Sequence, residues 1–108
     1  MENINVGDIY YGTWGYSMII PAFFRVTRKT AKRVEVVELE KEMYQSTDGG
    51  YFQQGYERPK EPYMARRNGD GPKLCKTDGA YVVVPIGYGT RVYARKWDGE
   101  RVWADYMD

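Results

Sequence analysis

Ala22-Phe23-Phe24-Arg25-Val26-Thr27, Lys29-Thr30-Ala31-Lys32 and Arg33-Val34-Glu35-Val36-Val37-Glu38-Leu39 form the stretch whose reading decides the fold. Two runs rich in β-branched and aromatic residues flank a short polar reversal, the pattern of an antiparallel hairpin. Alternation predicts that Val26 pairs with Val34 and Phe24 with Val36, with these side chains on one face. The same register sets Arg25 opposite Glu35 on the other face, a cross-strand pair worth about a few tenths of a kcal/mol. The alternation changes parity between Val36 and Val37. A bulge at that step is expected to return Val37 and Leu39 to the core. Glu38, Glu40 and Glu42 then project outward together, as a solvated acidic stripe or a docking surface for a basic partner.

Working outward, Val6-Gly7-Asp8 reads as a turn that delivers a first strand, Asp8-Ile9-Tyr10-Tyr11-Gly12-Thr13-Trp14. Ser17-Met18-Ile19-Ile20-Pro21 reads as a loop that tucks Met18 or Ile19 over one end of the sheet. Downstream, residues 43–46 and 51–54 are expected to pair across Asp48-Gly49-Gly50. Dense Gly and Pro signals then predict an irregular excursion around residues 55–72, with Arg66-Arg67-Asn68-Gly69-Asp70-Gly71 as its exposed, mobile tip. Lys73-Leu74-Cys75-Lys76-Thr77, Asp78-Gly79 and Ala80-Tyr81-Val82-Val83-Val84-Pro85 make a second hairpin ending in a buried strand. Thr90 is positioned to cap a short helical turn that aligns Tyr93 with Trp97, a strand being the competing reading. Arg101-Val102-Trp103-Ala104-Asp105-Tyr106 closes the chain as a strand. The fold class is therefore mainly β: one domain over residues 1–108, a small strongly bent antiparallel sheet or partly open SH3-like barrel with at most a short helical turn.

Composition narrows the chemistry. The chain has 108 residues, 43% hydrophobic and 29% charged, within the range of folded domains. Its net charge of +1 is neither that of a dedicated phosphate-backbone binder nor that of an acidic nucleic-acid mimic. Aromatic residues reach 16%, mostly through eleven tyrosines, which suit both half-wet strands and binding surfaces. There is no histidine and one cysteine, Cys75, so imidazole-based catalysis, histidine-containing zinc sites and an internal disulfide are excluded. No cofactor is expected. No membrane-length apolar run and no leader pattern are evident, which makes a cytoplasmic location the expectation.

The pattern Val6-Gly7-Asp8-Ile9-Tyr10, Trp14-Gly15-Tyr16, Phe23-Phe24-Arg25-Val26 and Thr30-Ala31-Lys32-Arg33-Val34-Glu35-Val36, with Ala94-Arg95-Lys96-Trp97-Asp98-Gly99-Glu100 near the end, resembles a group of small uncharacterised proteins of bacteriophages and other mobile elements. The resemblance implies a bacterial-host context. It also implies a non-enzymatic role in binding and blocking host machinery, as anti-CRISPR inhibitors of defence nucleases do. It brings no catalytic residues.

Two site readings follow. In the first, the chain docks on a host protein, a CRISPR nuclease being one such target, through Tyr51, Tyr56, Tyr63, Arg66 and Arg67. In the second, it binds nucleic acid through two basic clusters. Arg25, Arg28, Lys29, Lys32 and Arg33 gather around the hairpin reversal; Arg66, Arg67, Lys73 and Lys76 gather near the long excursion. Interleaved tyrosines would stack bases there. Cys75 reads as inert packing despite its lysine neighbours. Gly87-Tyr88-Gly89-Thr90 reads as turn chemistry rather than a phosphate loop, because it lacks the P-loop lysine and spacing.

Overall fold

The computed structural model describes residues 4–15, 18–45, 54–67, 69, 71–87 and 89–106. Among these residues the regular structure is all β. The strands are β1 (Ile9–Trp14), β2 (Ile20–Lys29), β3 (Val34–Glu38), β4 (Lys41–Gln45), β5 (Gln54–Pro59), β6 (Lys73–Asp78), β7 (Tyr81–Gly87), β8 (Thr90–Lys96) and β9 (Val102–Asp105). β1, β2, β3, β6, β7 and β8 form a closed antiparallel barrel, and β4, β5 and β9 form a separate three-stranded sheet.

Closure occurs between β1 and β8, where Tyr10 pairs with Lys96 and Tyr11 with Arg95. Gly12 makes the approach there sterically feasible. A Cβ at this position would overlap Val92 Cγ1, so the absence of a side chain lets β1 pair with β8 while Val92 packs over the glycine. Tyr10, Ala22, Phe24, Val26, Val34, Val36, Cys75, Val82, Val84, Val92 and Ala94 fill the barrel.

The hairpin β2–β3 is present, but its register lies two residues from the expected one. Val26 pairs with Val36, Phe24 with Glu38 and Arg25 with Val37. The irregularity falls in β2, between Val26 and Arg28, and not at Val36–Val37. It brings Arg28, rather than Arg25, opposite Glu35, and the two form an ion pair at 3.1 Å. Thr27 Oγ1 donates to Glu35 Oε1 at 2.9 Å. That bond, followed by the one from Arg28, holds the Glu35 carboxyl below its ordinary range.

No bulge in β3 is needed, because both of its faces are buried. Val34 and Val36 point into the barrel, while Val37 and Leu39 join Phe23 in a second core. β2 behaves alike: Ala22, Phe24 and Val26 face inward and Phe23 outward. Ile9, Tyr11, Tyr63, Trp97 and Val102 pack against this second core, which lies between the barrel wall and the small sheet. Its rings meet in sequence, Tyr11 with Phe23 at 6.2 Å, Phe23 with Trp97 at 6.0 Å and Trp97 with Tyr63 at 6.4 Å.

Other expectations change with this second core. Ile20 and Pro21 belong to β2 rather than to a loop, and Ile19 pairs with Asp105 while remaining exposed. Residues 54–59 are a strand paired to β4, with Gln45 opposite Gly55, so the irregular excursion is shorter than expected. The turn residues 46–50 and the strand expected at 51–53 lie outside the described residues. Leu39 bridges Ala65, Glu40 N–H donates to Met64 O, and Arg66 N–H donates to Glu38 O. These bonds fasten the excursion over Glu38 and Glu40, which are half-buried and form no solvated acidic stripe. Residues 90–96 form a strand and not a helical turn. Val82 and Val84 are buried, but Tyr81 and Pro85 are exposed, so β7 is half-buried.

Candidate functional site

β6, β7 and β8 enclose the barrel with Cys75, Val82, Val84, Val92 and Ala94 facing inward. Period-2 geometry therefore turns Leu74 and Lys76, Tyr81, Val83 and Pro85, and Arg91, Tyr93 and Arg95 outward. On β2 the outward position Phe23 is covered by the second core, and it is 0% exposed. On β6–β8 the outward positions are uncovered: Leu74 is 47% exposed, Tyr81 43% and Tyr93 51%. This is the open wall of the barrel.

A cleft of about 230 Å³ indents it, lined by Arg33, Leu74, Cys75, Lys76, Val83, Pro85 and Arg91. The charged residues of the lining are cations. Arg33, Lys76 and Arg91 have no ion-pair partner among the described residues. Beside the cleft, Tyr93 lies opposite Val83, which pairs in turn with Lys76. Tyr81 and Tyr93 meet edge to face with centroids 6.4 Å apart. Further along the wall, the Arg95 guanidinium sits over the Tyr11 ring at 5.6 Å. Asp78 pairs with Tyr81 at the β6 end of the row.

The expected basic clusters are redistributed. Arg33 and Lys76, drawn from different clusters, come together. Arg28 is paired with Glu35, while Lys29 and Lys32 stay exposed near the reversal. Arg25 lies apart from them, donating to Tyr63 O at 3.2 Å and so anchoring the excursion. Lys73 donates to Pro85 O at 2.6 Å and shares a separate cleft with Trp14, Glu38 and Arg66. Arg66 pairs with Glu38 at 3.0 Å. Arg67 lines a third cleft with Glu40, Lys41, Lys60 and Arg66.

The residues expected to dock a protein do not converge either. Tyr63 packs on the second core, and Tyr51 lies outside the described residues. Tyr56 is exposed on the small sheet, where it meets Trp103 edge to face at 5.3 Å beneath the Arg101 guanidinium.

Tyr81, Arg91, Tyr93, Arg95 and Trp103 were not candidates from sequence. The signal for Arg91, Tyr93 and Arg95 is the alternation with Val92 and Ala94 over residues 91–95, which the helical reading of Tyr93 and Trp97 obscures. Cys75 offers no nucleophile. It is 1% exposed, and burial pushes its thiol up against the opposing influence of Lys73 and Arg33. Thr90 opens a strand, so Gly87 and Gly89 precede no helix terminus able to bind phosphate.

One buried polar network has a structural use. Glu57, 4% exposed, accepts from Tyr106 Oη at 2.8 Å, and its other oxygen lies 3.0 Å from Lys41 Nζ. Lys41 also donates to Pro21 O at 2.6 Å, tying the small sheet to β2. Burial, and then the bond to and charge of Glu57, push the Tyr106 phenol above its ordinary value. Tyr106→Phe is expected to cost about 1–2 kcal/mol in urea unfolding at neutral pH, because one Glu57 oxygen loses its donor. The folded chain holds this proton more tightly than the unfolded chain. Its contribution is therefore complete below pH 10.0 and declines as pH rises beyond it, a decline the variant should lack. Equal stabilities across that range would discount the network.

Fold and site together define a small closed-barrel β protein with one cationic, tyrosine-bearing wall left open. The chain matches no protein-family model, and neither curated proteins nor solved structures show significant similarity to it. Among the described residues no group of acids and cysteine could hold a metal ion, and no helix is long and apolar enough to cross a membrane.

Proposed function

We propose that this protein is a non-enzymatic nucleic-acid-binding module that uses the open β6–β8 wall. The observation that carries the reading is the convergence of Arg33, Lys76 and Arg91, without carboxylate partners among the described residues, on one cleft beside Tyr81 and Tyr93. Cations that no protein acid neutralises attract phosphate, and an apolar floor of Leu74, Val83 and Pro85 suits sugar and base. The near-zero net charge is compatible with this because the excess is local: acids elsewhere are matched in pairs such as Arg66–Glu38 and Lys41–Glu57. Titration of labelled oligonucleotides at increasing salt tests the reading. Absence of binding at low salt would refute it.

A second reading, docking on a host protein in the manner of phage inhibitors of defence nucleases, is favoured by the small sheet. Trp103 and Tyr56 are 37% and 41% exposed there, with Arg101 stacked on Tyr56. Trp, Tyr and Arg are the residue types that dominate interface energetics. On this reading the protein restores plaque formation by a phage restricted by a CRISPR nuclease, and Trp103→Ala abolishes the rescue. Unchanged restriction with the native chain would remove the reading.

A further inference from the structure

We infer that the open wall selects single-stranded over duplex polynucleotide, a base stacking on Tyr93 while the adjoining phosphate sits among Arg91, Arg33 and Lys76. This rests on the nucleic-acid reading and goes further, to the kind of strand and the role of each residue.

Three observations carry it. Tyr93, the most exposed of the large apolar residues on this wall, meets Tyr81 with an interplanar angle of 79°. In an edge-to-face pair the ring offering its edge keeps both faces clear of its partner and the other ring keeps one, so in either role Tyr93 has a face that Tyr81 does not cover. Duplex bases cover their own faces by stacking on one another, so an uncovered tyrosine face has nothing to engage. In a single strand the faces are available, and aromatic stacking becomes the main sequence-tolerant contact.

The placement of charge fits the same substrate. Arg91 and Tyr93 are two residues apart on β8 and point the same way, about 7 Å along the strand. That separation is within reach of one nucleotide from base to phosphate. Lys76 lies in the same cross-strand row as Tyr93, through Val83. Aromatic platform and cations thus alternate over one short patch, rather than following a rail of evenly spaced phosphates.

Shape excludes the groove. The major groove of a duplex, about 12 Å wide, admits a helix or a two-stranded ribbon. The wall is not a free two-stranded ribbon: its three strands continue through β3 and β1 into the closed barrel, so no narrow edge projects to enter a groove. No helix is present among the described residues to take its place.

The test is fluorescence anisotropy on the full chain at about 50 mM salt, with labelled single strands of about 12 nucleotides. The probes are oligo-dT, oligo-U and a mixed-sequence duplex of the same length. At least one single strand should bind tenfold or more tightly than the duplex, and comparison of oligo-dT with oligo-U shows whether DNA or RNA is preferred. Tyr93→Leu should weaken the single strand about tenfold and the duplex less than twofold, whereas Tyr93→Phe, which keeps the ring, should bind like the native chain. Duplex binding as tight as single-strand binding, or an equal effect of Tyr93→Leu on both, would overturn the inference and leave nucleic-acid binding standing. No binding to any probe would overturn both.

Discussion

Reversing two charges, Arg33→Glu with Arg91→Glu, is expected to weaken oligonucleotide binding by about 100-fold or more at low salt. Each guanidinium lines the open cleft without an acidic partner among the described residues, so each is available to a phosphate. A charge-assisted contact is worth about 1.5–3 kcal/mol, and two of them account for at least that factor before new repulsion is added. The same cations set the salt response. With Arg33, Lys76 and Arg91 each releasing a counterion, a single strand gives a slope of about −2 in log K against log salt, close to a 20-fold loss between 50 and 200 mM. The double variant should flatten that slope to about a third. Arg91 is exposed and Arg33 half-buried, so melting temperature should change little, and a circular-dichroism melt separates lost binding from lost fold. Binding retained within threefold would place the nucleic acid elsewhere on the molecule.

The second large effect is on stability. Phe23→Ala is expected to cost about 3–5 kcal/mol, the range for removing a fully buried phenylalanine. Phe23 is 0% exposed and joins the barrel wall to Val37, Leu39, Tyr11 and Trp97 in the second core. A domain of this size is stable by about 5–15 kcal/mol, so the loss is a large share of the total. Urea unfolding gives the magnitude, and amide exchange gives the location. The amides of β5 and β9 should lose protection before those of β7 and β8, because the small sheet contacts the barrel through this core. A loss below about 1 kcal/mol, or uniform loss of protection, would show that the two sheets do not depend on Phe23.

On the proposed reading, the distribution of charge reconciles a near-neutral composition with phosphate binding. A net charge of +1 argues against a nucleic-acid binder when read as an average. In the folded chain five acids outside the cleft lining are matched in pairs: Glu35 with Arg28, Glu38 with Arg66, Glu57 with Lys41, Glu61 with Arg58 and Asp8 with Lys96. The charged residues that line the open cleft, Arg33, Lys76 and Arg91, are all positive. Attraction for a polyanion depends on that local field, since charges farther than about 10 Å are screened at ordinary salt.

The sequence by itself determined the β class, most strand positions and the turn at Asp78-Gly79, where Gly79 adopts a φ of 60°. These are local properties, set by β-branched alternation and by which residues tolerate a left-handed backbone. It also placed Cys75 inside, as an apolar residue on an alternating strand. Tertiary structure alone decided the rest. Alternation at Val34, Val36, Val37 and Leu39 says that neighbouring side chains point oppositely, but a bulge and a second core satisfy that pattern equally well. The choice was made by packing against the small sheet, whose β9 supplies Val102 from far away in sequence. The register of β2–β3 depended on an irregularity at Thr27, which shifts every pair beyond it. The site depended on four strands closing in one order, because Arg33, Lys76 and Arg91 become neighbours only when β3, β6, β7 and β8 lie side by side.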